Sequence, residues 1–514
     1  MTPVRPTLAS IVATIGPASD TPELVGKLID AGVAVFRINF SHGTFDDHRR
    51  RLEVIRMVAQ QKCCCTAVLG DLPGPKIRIG TVPNPGIMLE TGQDFLIDPN
   101  CPIAVPAPGR NGEPTCFGCG FADIGRDVQP GHRVLINDGA IRAVAMERGL
   151  GDPPAALRCR VTTGGLVTSN KGINLPQTEI SIPALTERDW QCVEWAVRHG
   201  IDYLALSFVR TADEVALLRQ RLATMCSIDG VAGNISGGAG IPVIAKIEKP
   251  QALANIDAIA KEADGLMVAR GDLGVEMDIA MVPIVQKRII AAANGYGKPC
   301  IVATQMLESM INAPSPTRAE AGDVATAIIE GADAAMLSAE SAAGQYPVLA
   351  VETMRRIIEK AEEWGRTQPH KASPPTDALT AKHPAAAVAH GVWHMAKDIS
   401  AKLVVCWSQR GGTARYLSQT GFDIPVIAYS SSETATRRMV LLRGVVPLRA
   451  DPPADSSLSA WNKAIDDDLL RREWVKPGDP IVLVAGRPLG VAKPASVVAV
   501  HRVGDQTTGF YRHT

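Results

Sequence analysis

The stretch PVIAKIEKPQALANIDAIAKEADGLMVARGDLG, Pro242 to Gly274, holds two short apolar runs, PVIAKI and DGLMVA, with a helical stretch between them. Each run is too short for a helix, and each closes on charged groups. Lys246 and Glu248 end the first, and RGDLG with Asp272 follows the second. Apolar runs of this length alternating with helical patterns read as strands of a parallel sheet. The rhythm extends outward through ASIVATI, VAVFRI, CTAVLGD and DYLALSF on one side and PCIVAT and DAAMLS on the other. Segments such as TPELVGKLIDAG and ALTERDWQCVEWAVRHG finish in glycine just past the last helical turn, a usual helix stop. Eight such strands argue for a closed (β/α)8 barrel of the TIM type.

The rhythm breaks once. Between CTAVLGD and DYLALSF lies a Pro- and Gly-rich insert that alternates apolar with polar residues, as in HRVLINDGAIRAVAM (His132–Met146). It predicts a small antiparallel β-barrel over 75–176, set as a lid into a barrel made of 1–74 and 177–365. DGVAGNISGGAG (Asp229–Gly240) reads as a surface loop. The proline-rich, polar stretch after VETMRRIIEKAEEWG predicts a linker over 366–381. AKLVVCWS, IPVIAYS, GVVPLRA and PIVLVAG then predict a separate α/β domain over 382–514.

The chain of 514 residues has 53 basic and 53 acidic side chains, so no global field recruits nucleic acid or anionic membrane. No apolar run approaches the roughly 18 residues of a membrane helix. The N-terminus lacks a secretion signal, and a cytoplasmic protein is expected. Cysteines fall mostly in apolar runs, among them Cys63, Cys64 and Cys65. The lone C-x-x-C of CFGCG (Cys116 and Cys119) has no second pair at zinc spacing, and a structural role is expected.

An active site on this barrel type lies at the C-terminal ends of the strands. The terminating residues are Arg37, Asn39 and Ser41 for the second run, Asp71 for the third and Ser207 for the fourth. Lys246 and Glu248 follow the fifth, Asp272 the sixth, Thr304 the seventh, and Ser338 with Glu340 the eighth. Glu248 and Asp272 can supply two oxygens to Mg²⁺, which keeps waters or substrate oxygens for its other positions. Otherwise each pairs with a nearby cation such as Lys249 or Arg270. Lys246, two residues before Glu248, lies on the same face of an extended strand and suits charge developing on an enolate or phosphoryl group. Arg37, Arg78 and Lys171 add cations for phosphate, and the backbone of RGDLG opens a helix toward a carboxylate or phosphate. These residues describe a phosphorylated, metal-bound substrate and do not choose between phosphoryl transfer and metal-assisted carbon–carbon chemistry.

TIGPAS, RINFSHG, GPKIRIG, KGINLP, AKIEKP, MVARGDLGVE, ATQMLESM, PTRAE and DAAMLSAESAAGQYP stand in this order between about Ile11 and Pro347, and this set resembles the pyruvate kinase family. The C-terminal part resembles the family's effector domain more loosely. The resemblance implies transfer of the phosphoryl group of phosphoenolpyruvate to ADP, giving pyruvate and ATP. It implies Mg²⁺ (or Mn²⁺) on Glu248 and Asp272, and phosphoryl and enolate contacts from Lys246 and Arg37. It assigns the substrate carboxylate to Gly271, Asp272 and Thr304, with Ser207 in the substrate site and Thr304 and Ser338 on the path of the proton to the enolate. Nucleotide contacts fall to Asn39, His42, Arg78 and Lys171. WSQRGGTARYLS, with Ser408, Arg410, Gly411, Gly412 and Thr413, resembles the loop that takes a sugar-phosphate or nucleotide effector; a Gly-rich turn capping a helix is the plainer reading. A homotetramer is common in the family.

One position departs from a frequent family pattern. Members that bind K⁺ use residues matching Asn39, Ser41, Asp71 and the carbonyl of Leu72, and typically carry Glu where this chain has Lys76 and Lys where it has Pro73. An attached ammonium can replace the charge of a bound K⁺, so an enzyme that needs no K⁺ is expected. Two rivals differ in class. A metal-dependent lyase on a similar barrel would not need the lid, Arg78 or Lys171. A catalytically dead homologue would have lost Lys246, Glu248, Asp272 or Thr304, and all four are present.

Overall fold

The computed structural model describes residues 7–107, 114–150, 156–228, 240–368 and 383–510. The loop read at 229–240 and the linker read at 366–381 lie outside the described residues, apart from 240 and 366–368.

Eight parallel strands close into one ring: β1 (Ser10–Thr14), β2 (Val33–Asn39), β3 (Ala67–Asp71), β4 (Tyr203–Leu206), β5 (Val243–Ile247), β6 (Gly265–Ala269), β7 (Cys300–Ala303) and β8 (Ala334–Leu337). They pair in chain order, and β8 returns to β1. Alternate residues serve two cores. Val12, Val35, Leu69, Tyr203, Ile244, Met267, Ile301 and Met336 fill the barrel, while Ile11, Phe36, Val68, Leu204 and Val268 pack outward under the helices. Burial on both faces is why these strands read as unbroken apolar runs. Threonine starts several surrounding helices, with full capping boxes at Thr44/Asp47, Thr186/Asp189 and Thr317/Glu320, which satisfy amide groups left free at a helix start. Asp189 also accepts from the Gly74 amide at 2.9 Å, tying one cap to the entrance of the insert.

The insert folds as a six-stranded sheet around its own apolar cluster, beside a two-stranded ribbon of Ile87–Leu89 and Gly165–Val167. Arg133–Ile136 and Ile141–Leu150 form the hairpin expected from their alternation. Its turn places Asn137, Asp138 and Gly139 at positive φ. Isolated bridges from Arg78 to Gly172 and from Ile79 to Cys119 add contacts near the two edges of the sheet, so the insert is a sheet domain with its own core.

The last barrel helix, Pro347–Thr367, runs into the stretch read as linker. Beyond it, five strands form one sheet in the order β11 (Val445–Arg449), β10 (Val426–Ser430), β9 (Val404–Trp407), β12 (Pro480–Ala485) and β13 (Val497–Arg502), with only β12 and β13 antiparallel. This domain docks on the N-terminal end of the barrel through buried charge. Asp202 takes Arg56 at 2.6 Å and Arg437 at 2.9 Å. Fully buried Arg438 donates to the Asp202 carbonyl, and Tyr203 inside the barrel donates to the Arg438 carbonyl.

His48 is fully buried beside Phe40, Phe45 and Trp195, and neither ring nitrogen has a hydrogen-bond partner. Burial, assisted by the charge of Arg51, pushes its imidazole down to about 4 from an ordinary value of 6.5. Between those values the unfolded chain binds a proton that the folded one refuses, so stability falls as pH falls from 6.5 toward 4. His48→Leu is expected to remove a slope of up to about 1.4 kcal/mol per pH unit. Urea unfolding at pH 7, 6 and 5 checks it, and an unchanged slope in the variant refutes it.

Candidate active site

The strand ends meet at the mouth of the barrel in a chain of alternating charges. Arg37 on β2 binds Asp71 at the end of β3, Nε to Oδ2, at 2.7 Å. Lys246 on β5 approaches the other oxygen of Asp71 at 3.3 Å and Glu248 Oε1 at 2.8 Å. It also donates to Ser207 Oγ at 2.7 Å. Ser207 in turn donates to the Leu72 carbonyl, and the Phe208 amide donates to Glu248 Oε2 at 2.8 Å. Asp71 and Glu248 are almost wholly buried, so each ion is tolerable only because its neighbours are charged. Burial alone would raise Asp71, yet Lys246 and Arg37 together hold its carboxyl below the usual value. Burial disfavours the Lys246 ammonium, but Asp71, Glu248 and Asp272 outweigh it and hold its pKa above that of an ordinary lysine.

Glu248 therefore pairs with Lys246, not Lys249, and Arg270 turns away to Asp323 at 3.0 Å and to the Thr304 carbonyl. Asp272, half-buried at the start of the helix Arg270–Glu276, has no hydrogen-bond or ion-pair partner among the described residues. Two carboxylates raise each other's cost, and burial adds to it. Glu248 is pushed up by burial, with Asp272 adding to the rise and Lys246 only partly offsetting it. A divalent cation between them would relieve both effects. Among the described residues no group of three or more His, Cys, Asp or Glu is placed to hold a metal, so the donor set suits Mg²⁺ completing its shell with water and substrate oxygens.

Thr304, after β7, has a positive φ of 65°. Its hydroxyl accepts from the Gly271 amide at 2.8 Å and donates to the Ala303 carbonyl at 2.6 Å. A Cβ at Gly271 would stand 3.3 Å from that hydroxyl oxygen, so glycine is what lets the helix start approach so closely. Ser338 presents a buried hydroxyl with no partner, while its amide binds Glu340 at 2.6 Å. The first run, ASIVATI, has no charged stop, and its one polar residue near the end, Thr14, is followed by apolar Ile15. The structure brings Thr14 there, accepting from Arg37 Nη1 at 2.9 Å. It also reveals Glu276, buried among Lys249 at 2.6 Å and Asn174 of the insert at 2.8 Å.

Residues 7–351 match the family model for the pyruvate kinase barrel domain, and 386–501 match that for the pyruvate kinase alpha/beta domain. The chain belongs to the pyruvate kinase family. A pyruvate kinase of Methylorubrum extorquens is 39% identical over 494 residues, 95% of this chain and 96% of its own. One from Mycobacterium tuberculosis is 36% identical, over 96% of this chain and 98% of its own. In fold it is similar to the crystal structure of a pyruvate kinase from Cryptosporidium parvum, with a TM-score of 0.82 at 30% identity, covering 97% of this chain and 96% of the other. The reaction is therefore that of a pyruvate kinase: phosphoenolpyruvate and ADP give pyruvate and ATP. The family generally uses Mg²⁺ or Mn²⁺, and K⁺.

The remaining pyruvate kinase motif residues gather at the same mouth or in the lid. Asn39 accepts from the Ser41 amide at 3.0 Å, and Ser41 and His42 are exposed. Arg78 and Lys171 lie on adjacent lid segments joined by the Ile79 amide and Lys171 carbonyl at 2.8 Å. Lys76 is exposed, and a Cβ at Gly172 of the lid would lie 3.2 Å from its Cε. Ser408, Arg410, Gly412 and Thr413 line a cavity of about 230 Å³ in the C-terminal domain, and Gly411 precedes the helix Gly412–Ser418 with a φ of 85°. No disulfide joins any of the eleven cysteines, Cys116 and Cys119 included.

Glu276 links the end of β5, the helix after β6 and the insert. Glu276→Gln would leave the Lys249 ammonium buried without its counter-charge, at an expected cost of about 3–5 kcal/mol. Thermal unfolding checks this; a melting temperature equal to that of the parent rejects it.

Proposed function

We propose that Lys246 and Arg37 carry the phosphoryl transfer, with the rest of the mouth holding substrate and cation in line. The observation that supports this most directly is the Lys246 ammonium, held at once by Asp71, Ser207 and Glu248. A cation anchored from three strand ends needs no reorganisation when negative charge moves past it. The bond from phosphorus to the enol oxygen breaks as a terminal oxygen of ADP attacks, leaving the enolate of pyruvate, which takes a proton at carbon. Positioning and charge neutralisation are most of what such a transfer asks of a protein. Glu248 and Asp272 would hold Mg²⁺ or Mn²⁺, which would supply positive charge to offset that of the substrates.

Gly271, Asp272 and Thr304 clamp the substrate carboxylate, and Ser207 fixes Lys246. Thr304 and Ser338 line the route of the proton. The buried, unpartnered Ser338 hydroxyl supports this, since it is free to donate or accept. Asn39, His42, Arg78 and Lys171 contact the nucleotide, and the lid (75–176) closes over the barrel (1–74 and 177–365) to exclude water.

Three of the four groups at the monovalent-cation position already have partners within the chain. Asp71 is already shared by Arg37 and Lys246, the Leu72 carbonyl by Ser207, and Asn39 Oδ1 by the Ser41 amide, while Lys76 brings an exposed cation to the hinge of the insert. These engaged oxygens support an enzyme that works without K⁺. The C-terminal domain (382–514) binds a phosphorylated effector, a sugar phosphate or a nucleotide, at Ser408, Arg410, Gly411, Gly412 and Thr413. Support comes from the cavity that Ser408, Arg410, Gly412 and Thr413 line with Lys493, at the C-terminal end of β9, where neighbouring connections run to opposite sides. Such switch points form ligand crevices in open α/β sheets. A homotetramer is favoured by the exposed apolar Ile279, Met281 and Ile284. A cytoplasmic setting is in keeping with a fold in which no helix of the described residues is long and apolar enough to cross a membrane.

Lys246→Met is expected to lower kcat at least about a hundredfold, with the far-UV spectrum retained; near-parent turnover in the pyruvate assay rejects its role. Measured in Na⁺ or in a large organic cation, the parent is expected to keep its full rate, and Lys76→Glu to create a K⁺ requirement. A parent that is inactive without K⁺ contradicts the reading.

A further inference from the structure

The C-terminal domain carries a second concentration of metal-binding chemistry, remote from the residues of the barrel mouth. Its first helix, Pro384–Asp398, presents His390 and His394 one turn apart, the spacing at which helical side chains meet. Their Nε2 atoms stand 2.9 Å from each other, with ring centroids 4.8 Å apart and the planes tilted by 45°. His390 is half-buried and His394 exposed, so the pair has one sheltered and one open side. Neither ring has another hydrogen-bond or ion-pair partner among the described residues, and neither takes part in the site described above.

We propose that His390 and His394 form a bidentate site for a late first-row divalent cation, with Cu²⁺ and Ni²⁺ preferred over Zn²⁺. Metal–imidazole bonds are about 2.0–2.1 Å long, so two nitrogens at right angles about one ion stand about 2.9 Å apart, whereas tetrahedral ligation needs about 3.3 Å. The observed separation is therefore the bite of square-planar or octahedral coordination, which Cu²⁺ and Ni²⁺ adopt. The affinity order for nitrogen ligands points the same way, with Cu²⁺ above both neighbours. The alternative use of this geometry is an N–H···N bond, in which one ring keeps its Nε2 proton. A cation takes the lone pair of both rings, each then protonated on Nδ1. No third His, Cys, Asp or Glu joins the pair among the described residues, so water fills the remaining positions. The helix fixes both ligands before the ion arrives, and an ion that binds only the folded turn stabilises it by mass action. The helix has no side-chain hydrogen bond capping its start, so a clip across its later turns adds order where the sequence supplies none.

Trp393 gives a local reporter, because its ring lies edge-on to His394 at 5.0 Å. Full-length, chelator-stripped protein would be titrated with NiCl₂ by calorimetry, and with CuCl₂ while tryptophan fluorescence is followed. The parent, His390→Gln and His394→Gln would be compared, all carrying the same thiols and the same other histidines. The parent is expected to bind one Ni²⁺ per chain that each variant loses, with at least a tenfold fall in affinity. Cu²⁺ quenching should weaken in parallel, and Ni²⁺ should raise the melting temperature of the parent alone. Metal-free melting temperature and Mg²⁺-dependent turnover should be equal in all three. Ala387→His places a third imidazole one turn earlier and should tighten Ni²⁺ at least tenfold. Equal Ni²⁺ binding by parent and Gln variants, or no gain from Ala387→His, would overturn the proposal and leave the pair as a hydrogen bond.

Discussion

Everything at the mouth of this barrel depends on one buried run of alternating charge, Arg37, Asp71, Lys246 and Glu248. Removing any member leaves a charge in a low-dielectric setting without its partner, a loss of several kcal/mol. The run crosses β2, β3 and β5, so it exists only when the ring is closed and in register. Asn39 must stand opposite Asp71, and Ala205 between Asp71 and Ile244. The carboxylates that make the ammonium tolerable also aim it. One set of contacts therefore serves both fold and chemistry.

A second layer of buried charge ties the C-terminal domain to the strands that carry the site. On the helix Gly412–Ser418, Arg415 donates to the Gly297 carbonyl just before β7. Gln419, which follows that helix, reaches Asp333 at 2.7 Å, and Asp333 accepts from the Cys300 amide at 2.8 Å. The turn at Gly411 thus opens a helix that grips the start of the strand whose far end holds Thr304. The domains meet through directional hydrogen bonds as well as apolar contact, which fixes their relative orientation more tightly than apolar surface alone would.

Much of this was legible in the chain. Strand existence followed from short apolar runs, and the site from the polar residue that stops each run, because a barrel brings all such ends to one side. The insert showed itself through period-two alternation. Legibility failed where partners are distant and locally unremarkable. Thr14 hides in a run that continues apolar, and Glu276 reads as an ordinary helical glutamate until Lys249 and Asn174 fold onto it. Asp202 likewise looks like a turn residue, yet it seats the C-terminal domain through Arg437 and Arg438. The three consecutive cysteines have a plain outcome: Cys64 leans on the Ala59 carbonyl, and burial raises the Cys64 and Cys65 thiols.

By itself the sequence determined the eightfold rhythm, the place of the lid, the domain that follows and the identity of nearly every group at the mouth, since periodicity and strand-end chemistry are local properties. Only the tertiary structure decided which charge answers which. Glu248 went to Lys246, Lys249 to Glu276, and Arg270 to Asp323, although Lys249 and Arg270 lie within two residues of Glu248 and Asp272 along the chain. Pairing of buried ions is settled by distance and desolvation across strands, and neither is written in the order of residues along the chain.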